Sequence, residues 1–286
     1  MLGLGDRRAR QGPLNSIPVV VFLLVGFVAP LLAVIAYSFM PERTFGMLQK
    51  PSFDNYVTIF NSTSYISFLW SLGLAALTVV ILALVCYPVA YGLARVFGRW
   101  STLLTLLFTI PLFVSENVRL YGWILFFIKN GLLLGTLKHY FGIEPESWLF
   151  TPTMTVFGMV YVYLPFMLFP MTLGVSMVPR ETVEAAADLG ANRWQVFYEV
   201  ELPLAMPGII IGGLLTFVLA MGAIAEAKVI GGQSVIPIVH DIEIAFTYAQ
   251  NWPLGAALAV LLMLVVGALV LLVLRRFDLD RILKRG

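Results

Sequence analysis

The sequence has one cysteine, two histidines and only 12% charged residues, and each shortage excludes something. Cys86 cannot close an intramolecular disulfide, and it lies in an apolar run with no second thiol to build a metal cluster. His139 and His240 are far apart and lack ligand-like neighbours, so they read as interfacial side chains. No G-x-x-x-x-G-K-[ST] loop occurs, and no aspartate-ended strand that could hold magnesium. With so few candidates there is no Ser/His/Asp or Cys/His set. The expectation is a chain that neither hydrolyses ATP nor acts as an enzyme, with no cofactor and no metal of its own. A net charge of +2 is too small to argue for nucleic acid.

What the sequence has in abundance is apolar residues, 60% of the chain. Soluble domains carry about 25% charged residues, so this composition indicates a membrane protein. Six apolar runs are each long enough to cross about 30 Å of hydrocarbon. They fall near residues 17–39, 65–93, 102–128, 152–177, 207–229 and 253–274, giving a six-span transmembrane domain over 17–274. The third is interrupted by Pro111 and by Ser115-Glu116-Asn117-Val118-Arg119. The fourth contains Pro165 and Pro170, whose freed carbonyls need neighbours or a cavity. The first run is too long for a signal peptide and has no small-residue cleavage site before Pro41, so an uncleaved span is expected. Trp148 marks an interfacial turn, and Asn61-Ser62-Thr63 is read as a chance glycosylation match.

Basic residues in short loops orient the chain. Arg7, Arg8 and Arg10 in the tail 1–16, Arg95 and Arg99, Arg180 and Arg193, and five basic residues in the tail 275–286 all fall on one side if both termini are cytoplasmic. The opposite side then holds Arg43, Lys50, Lys129, Lys138 and Lys228. This places the polar loop 178–206 in the cytoplasm.

That loop is the most informative stretch. Pro179 suits a helix start, acids crowd the first turns, and Gly190 reads as a left-handed stop. Asn192 with Gln195 reads as a capping box that opens a second short helix, ended by Pro203 and Pro207. Glu184-Ala185-Ala186, then Gly190, then Val200-x-Leu202-Pro203 resemble the EAA signature of membrane subunits of bacterial binding-protein-dependent ABC importers. The fit holds at every fixed position of that pattern. The resemblance implies the all-α, six-helix permease fold of type I importers, with this elbow as a coupling helix between spans 4 and 5 that docks into an ATPase. Glu184, Ala185, Ala186, Ala187, Gly190, Arg193, Leu202 and Pro203 are then the docking residues. It also implies a bacterial inner-membrane location and three kinds of partner. These are an ATP-binding subunit dimer carrying ATP and magnesium, a second permease (a different chain or a copy of this one) and a periplasmic solute-binding protein.

Further stretches resemble the spermidine/putrescine permease branch. They are Pro111 with Val118-Arg119-x-Tyr121-x-Trp123 and Asn130-Gly131-Leu132, then Tyr161-Val-Tyr-Leu-Pro-Phe-Met with Pro170, then Ile230-Gly-Gly232, and Asn251-Trp-Pro-Leu-Gly-Ala-Ala257. The first two spans fit that branch only in length and polarity. The chain departs from it at Gly222-Ala223, at Ala227 and at Glu116. The branch serves polyamines and other small organic solutes, and an extra acid at Glu116 suits a cation.

Ionisable residues inside a membrane are costly unless paired or facing water. Glu116 and Arg119 share a helix face, and either pair with each other or line a polar path with Tyr121, Trp123 and Tyr163. Glu226 and Lys228 invite the same two readings, and Gly231-Gly232 so close behind favours the interface for them. Gly208, Gly212 and Gly213 form a small-residue patch for close packing, on this chain or on a partner permease. The alternative function is a self-sufficient secondary transporter or channel built on Glu116 and Arg119. No repeat of the third span in the other half supports it.

Overall fold

A computed structural model describes residues 18–46, 49–143 and 146–277. Arg7, Arg8, Arg10, Glu144, Arg281, Lys284 and Arg285 lie outside the described residues, as do most of both tails. All regular structure among the described residues is helical. In chain order the helices are α1 (Pro18–Ser38), α2 (Asp54–Asn61), α3 (Ser64–Val96), α4 (Trp100–Phe113), α5 (Glu116–Phe127) and α6 (Leu132–Phe141). They continue with α7 (Pro152–Ser176), α8 (Arg180–Asp188), α9 (Arg193–Met221), α10 (Ala225–Val229), α11 (Ile238–Thr247) and α12 (Trp252–Arg276). Six helical stretches are long and apolar enough to cross a membrane, namely α1, α3, α5 with α6, α7, α9 and α12. In a bilayer the backbone has no water to bond, so spans of this kind must be helical.

The chain divides into two compact units. The first comprises residues 1–65 and 241–264. Its organising residue is Asn55 of α2, fully buried, whose Nδ2 donates to the carbonyls of Ser38 at 3.0 Å and Met40 at 2.7 Å. These are carbonyls that the end of α1 cannot satisfy internally. The loop after α1 also reaches the start of α12. Arg43 N–H donates to Asn251 Oδ1 at 3.0 Å, and Tyr37 and Phe45 place rings 6.5 and 5.7 Å from that of Trp252.

The second unit, residues 66–240 and 265–286, holds nearly all of α3, then α4 to α10 with the elbow, and the end of α12. At its centre α7 and α9 approach until backbone meets backbone. A Cβ on Gly208 would fall 2.6 Å from Gly174 Cα, and one on Gly212 would fall 2.9 Å from the Met167 carbonyl. The small-residue patch therefore packs this chain's own fourth span. Lipid tails give no hydrophobic drive between helices, so such close van der Waals fit has to hold them. Met159, Met167, Leu168 and Met171 of α7 fill the same core and are almost completely buried.

Three features differ from expectation. The stretch around Pro111 is two helices rather than one interrupted span, because Val114 and Ser115 are extended between α4 and α5. The fifth-span helix ends at Met221 instead of continuing to Val229, and α10 follows separately. The second elbow helix does not end at Pro203 or Pro207; it runs unbroken into the fifth span as α9. A π-type turn over Val196–Glu201 precedes Pro203, so the ring enters as if at a helix start, where the missing N–H is tolerated.

Replacing Gly208 by valine is expected to force α7 and α9 apart, at a cost of about 1–3 kcal/mol typical of overpacking. Thermal unfolding of the detergent-solubilised protein should show a clearly lowered midpoint, whereas Gly213→Ala, with only Val79 Cγ1 at 3.7 Å, should leave it unchanged.

Candidate functional site

Two places in the second unit carry polar chemistry. The first is the elbow. Met177 closes α7, Pro179 cannot continue it, and α8 begins at Arg180. Gly190 has φ of 88°, the left-handed geometry expected of it. Asn192 Oδ1 accepts from Gln195 N–H at 2.9 Å, while Gln195 Oε1 accepts from Asn192 N–H at 2.8 Å. The capping box is complete, so α9 begins three residues after the glycine, at Arg193.

The elbow presents a bare surface. Glu184, Ala185, Ala187, Gly190, Arg193 and Pro203 are exposed, and Ala186 and Leu202 partly so. The sequence reading missed its apolar part. Leu189 is 90% exposed and Trp194 71%, with Tyr198 stacked on the Trp194 ring at 6.1 Å. Large apolar side chains are thus exposed at a polar turn. The pattern Leu189-Gly190 and Arg193-Trp194 was available as a signal, because a tryptophan in a polar loop has no core to enter.

The second place is a buried polar cluster where α5, α7 and α10 meet at Gly158. A Cβ there would lie 2.9 Å from Ile230 and 3.4 Å from both Glu226 Cβ and Leu120, so only glycine lets the three helices converge. Convergence brings Glu226 close to Tyr163, and within electrostatic reach of Glu116 and Arg119. Glu226 is completely buried, and neither of its carboxylate oxygens makes a hydrogen bond of standard geometry among the described residues. Arg119 is similar. Its Nε and Nη1 are buried without partners, and its guanidinium lies over the Tyr161 ring at 5.6 Å.

This corrects the interface reading of Glu226. Of the glycines behind it, Gly231 is buried and Gly232 is exposed. Gly231 fits against Thr155, and Gly232, at φ 58°, fits against the Phe150 ring, which ties the end of α10 to the start of α7. Phe150 N–H donates to the Ile230 carbonyl at 3.0 Å in the same junction. Trp123 stacks on Phe127 and meets Phe126, Phe157 and Tyr161 edge-on, Tyr161 being the ring that Arg119 covers. Tyr121 is more than half exposed and, two positions from Arg119, lies on another side of α5. Among the described residues no three His, Cys, Asp or Glu side chains come together as a metal site would need.

Comparison with known proteins gives this geometry a context. The family described as "Binding-protein-dependent transport system inner membrane component" matches residues 88–282, more than half of the chain. The chain belongs to that family. The permease is 33% identical over 260 residues to the spermidine/putrescine transport system permease protein PotB of Haemophilus influenzae, covering 89% of this chain and 90% of that protein. Against PotB of Escherichia coli it is 31% identical over 257 residues, covering 89% and 94%. The resemblance to the spermidine/putrescine branch thus reaches well beyond the stretches that first showed it. The molybdenum transport system permease protein ModB of Azotobacter vinelandii is more distant, at 29% over 205 residues, or 70% and 89% of the two chains.

Among solved structures, a bacterial alginate ABC transporter in complex with alginate pentasaccharide-bound periplasmic protein contains a chain that matches with a TM-score of 0.75. The two are 17% identical, and the match covers 94% of this chain and 95% of that one. So low an identity speaks only to the fold, which is the six-helix permease fold of type I ABC importers. The permease is a multi-pass inner-membrane transport subunit and not an enzyme.

A buried carboxylate without a hydrogen-bonded partner opposes folding. Glu226→Gln keeps the shape and removes the charge, so it is expected to raise stability by about 1 kcal/mol or more. A higher unfolding midpoint in detergent would show this, and a lower one would mean that the ionised carboxylate holds the cluster together.

Proposed function

We propose that this permease carries a small organic cation, of the polyamine class, from a periplasmic binding protein into the cytoplasm under ATP power. The observation that carries the reading is the cluster of Glu116, Glu226, Tyr163 and Arg119, where two carboxylates and a phenol stand ready for an ammonium group at membrane depth. The names of the PotB relatives support the solute class. Charged groups left unsatisfied in a membrane protein are expensive, and a solute path is the usual reason for keeping them. Tyr121 falls outside the cluster, and Trp123 adjoins it through the Tyr161 ring. Trp123 holds α5 in place against α7, and Tyr121 faces away from the carboxylates.

ATP and magnesium belong to a separate ATPase pair, and the elbow is where that pair docks. Ala185, Ala186 and Ala187 allow close approach to the α8 backbone. Leu189 and Trp194 supply apolar anchors, and Glu184 and Arg193 supply charge on either side of Gly190. Leu202 and Pro203 lie where α9 leaves the elbow. Both termini and the elbow lie in the cytoplasm, in keeping with the basic residues around them. A second permease completes the path, a different chain in the simplest arrangement.

Two experiments test these assignments separately. Glu184→Lys with Ala186→Trp, or Gly190→Pro, is expected to leave the permease inserted but to abolish co-purification of the ATPase. Undiminished association would remove the elbow from the docking role. In proteoliposomes carrying the whole importer, Glu116→Gln is expected to raise the spermidine concentration for half-maximal uptake about tenfold, the equivalent of ~1.4 kcal/mol. An unchanged uptake profile would leave Glu116 with a structural role only.

A further inference from the structure

Three groups at the end of α3 are not used by either site. Arg95 Nη2 donates to the Val175 carbonyl at 3.3 Å and also to the Val178 carbonyl. These oxygens belong to the last turn of α7 and to the peptide just before Pro179, where α7 stops and the elbow starts. Helix ends leave such carbonyls unsatisfied, and a cation is favoured there by the helix dipole. Here the cap comes from a different span.

One turn earlier, Tyr91 faces the Glu201 carboxylate, and one turn before that, the Tyr87 ring meets the edge of Phe197 at 5.4 Å. Phe197 and Glu201 belong to the first turns of α9, where the elbow ends. The apolar cluster between them joins the same parts. Val175, Val178 and Ala205 are buried there against Tyr87, Tyr91, Ala94 and Val183 of α8. Tyr87, Tyr91, Ala94 and Arg95 are spaced four, seven and eight residues along one helix, and so share a face.

Both limbs of the elbow are therefore held by a single face of α3. Covalent continuity already ties the elbow to α7 and α9, but nothing in the chain sequence ties it to α3. We infer that the cytoplasmic end of α3 and the elbow form one rigid block, in which Arg95 is the positioning residue that passes elbow displacement to the second span. Movement of the elbow then shifts three spans together instead of two. The inference rests on the docking role proposed for the elbow, because it says where force entering there goes next. Arg95 does this through the backbone. Its two carbonyl partners lie on either side of the bend, so α7 cannot hinge at Met177 while both bonds hold. Burial of the Arg95 Nε without a partner adds to the constraint, since the side chain has no solvent-facing alternative at that atom.

The test uses the complete importer in proteoliposomes, with ATPase association, ATP hydrolysis and spermidine uptake measured on the same preparations. Arg95→Met, with Tyr91→Phe as a milder companion, is expected to leave association and ATP hydrolysis near wild type while uptake falls at least tenfold. Solute moved per ATP therefore drops. Arg95→Lys, which keeps a donor for one carbonyl, is expected to recover part of that ratio. Spin labels at Val96 and Glu199 should keep one distance through the ATP cycle in the parent and should broaden in Arg95→Met. Unchanged solute per ATP in Arg95→Met, or a label distance that changes through the cycle in the parent, would overturn the rigid block. Loss of association in Arg95→Met would also overturn it, by moving Arg95 to the docking surface. Failure of the elbow's docking role would look different, because the unsubstituted permease would then move solute without the ATPase bound.

Discussion

Everything in the second unit depends on how closely α7 and α9 can approach. At Gly174, Gly208 and Gly212 there is no side chain between the two backbones, and contact at that distance cannot be rebuilt with any larger residue. The elbow is the connection between these two helices. Once they are locked together, the short α8 has its position and its tilt settled by what enters and leaves it. An elbow of nine helical residues could not hold itself in place in water, since isolated helices this short are marginal. It is held by the spans on either side and by the side chains of α3 below it.

The same helices reveal a contrast in how polar groups are treated. At the elbow end, orphan carbonyls are capped by Arg95, and the elbow turn satisfies itself through the Asn192–Gln195 box. Near Gly158 the opposite holds, with the buried Glu226 carboxylate and the buried Nε and Nη1 of Arg119 unsatisfied among the described residues. A protein that caps its helix ends with this care does not leave two charges unsatisfied by neglect. The first pattern belongs to a part that must be stiff. The second fits the solute path proposed for this cluster.

Much of this was legible in the sequence, for identifiable reasons. Elbow turns are written in residues whose backbone or side-chain chemistry admits few conformations, so Gly190 and the Asn192 box could be placed directly. Span number followed from apolar length alone. Pro203 misled, because a proline reads as a stop only where the preceding turn is regular, and a π-type turn has no signature in composition. Glu226 misled for a related reason. Two glycines after an acid read as an exposed turn, and Gly232 is exposed; what the pattern did not show is that Gly158 of another helix lets the acid itself be buried. Contacts between distant segments, such as Arg95 on the Val178 carbonyl, leave no trace in local pattern at all.

The unbroken helix α9 has a mechanical consequence. Its 29 residues span about 44 Å at 1.5 Å each, and the glycine contact grips it near the middle. Gly208 stands about 22 Å from the end at Arg193 and about 20 Å from the end at Met221. Because the same contact locks α9 to α7, a displacement at the elbow end of the rod is carried by both helices together instead of being taken up at their crossing. Had the helix broken at Pro203, as the sequence suggested, the arm between the elbow and the contact would have been a loose joint.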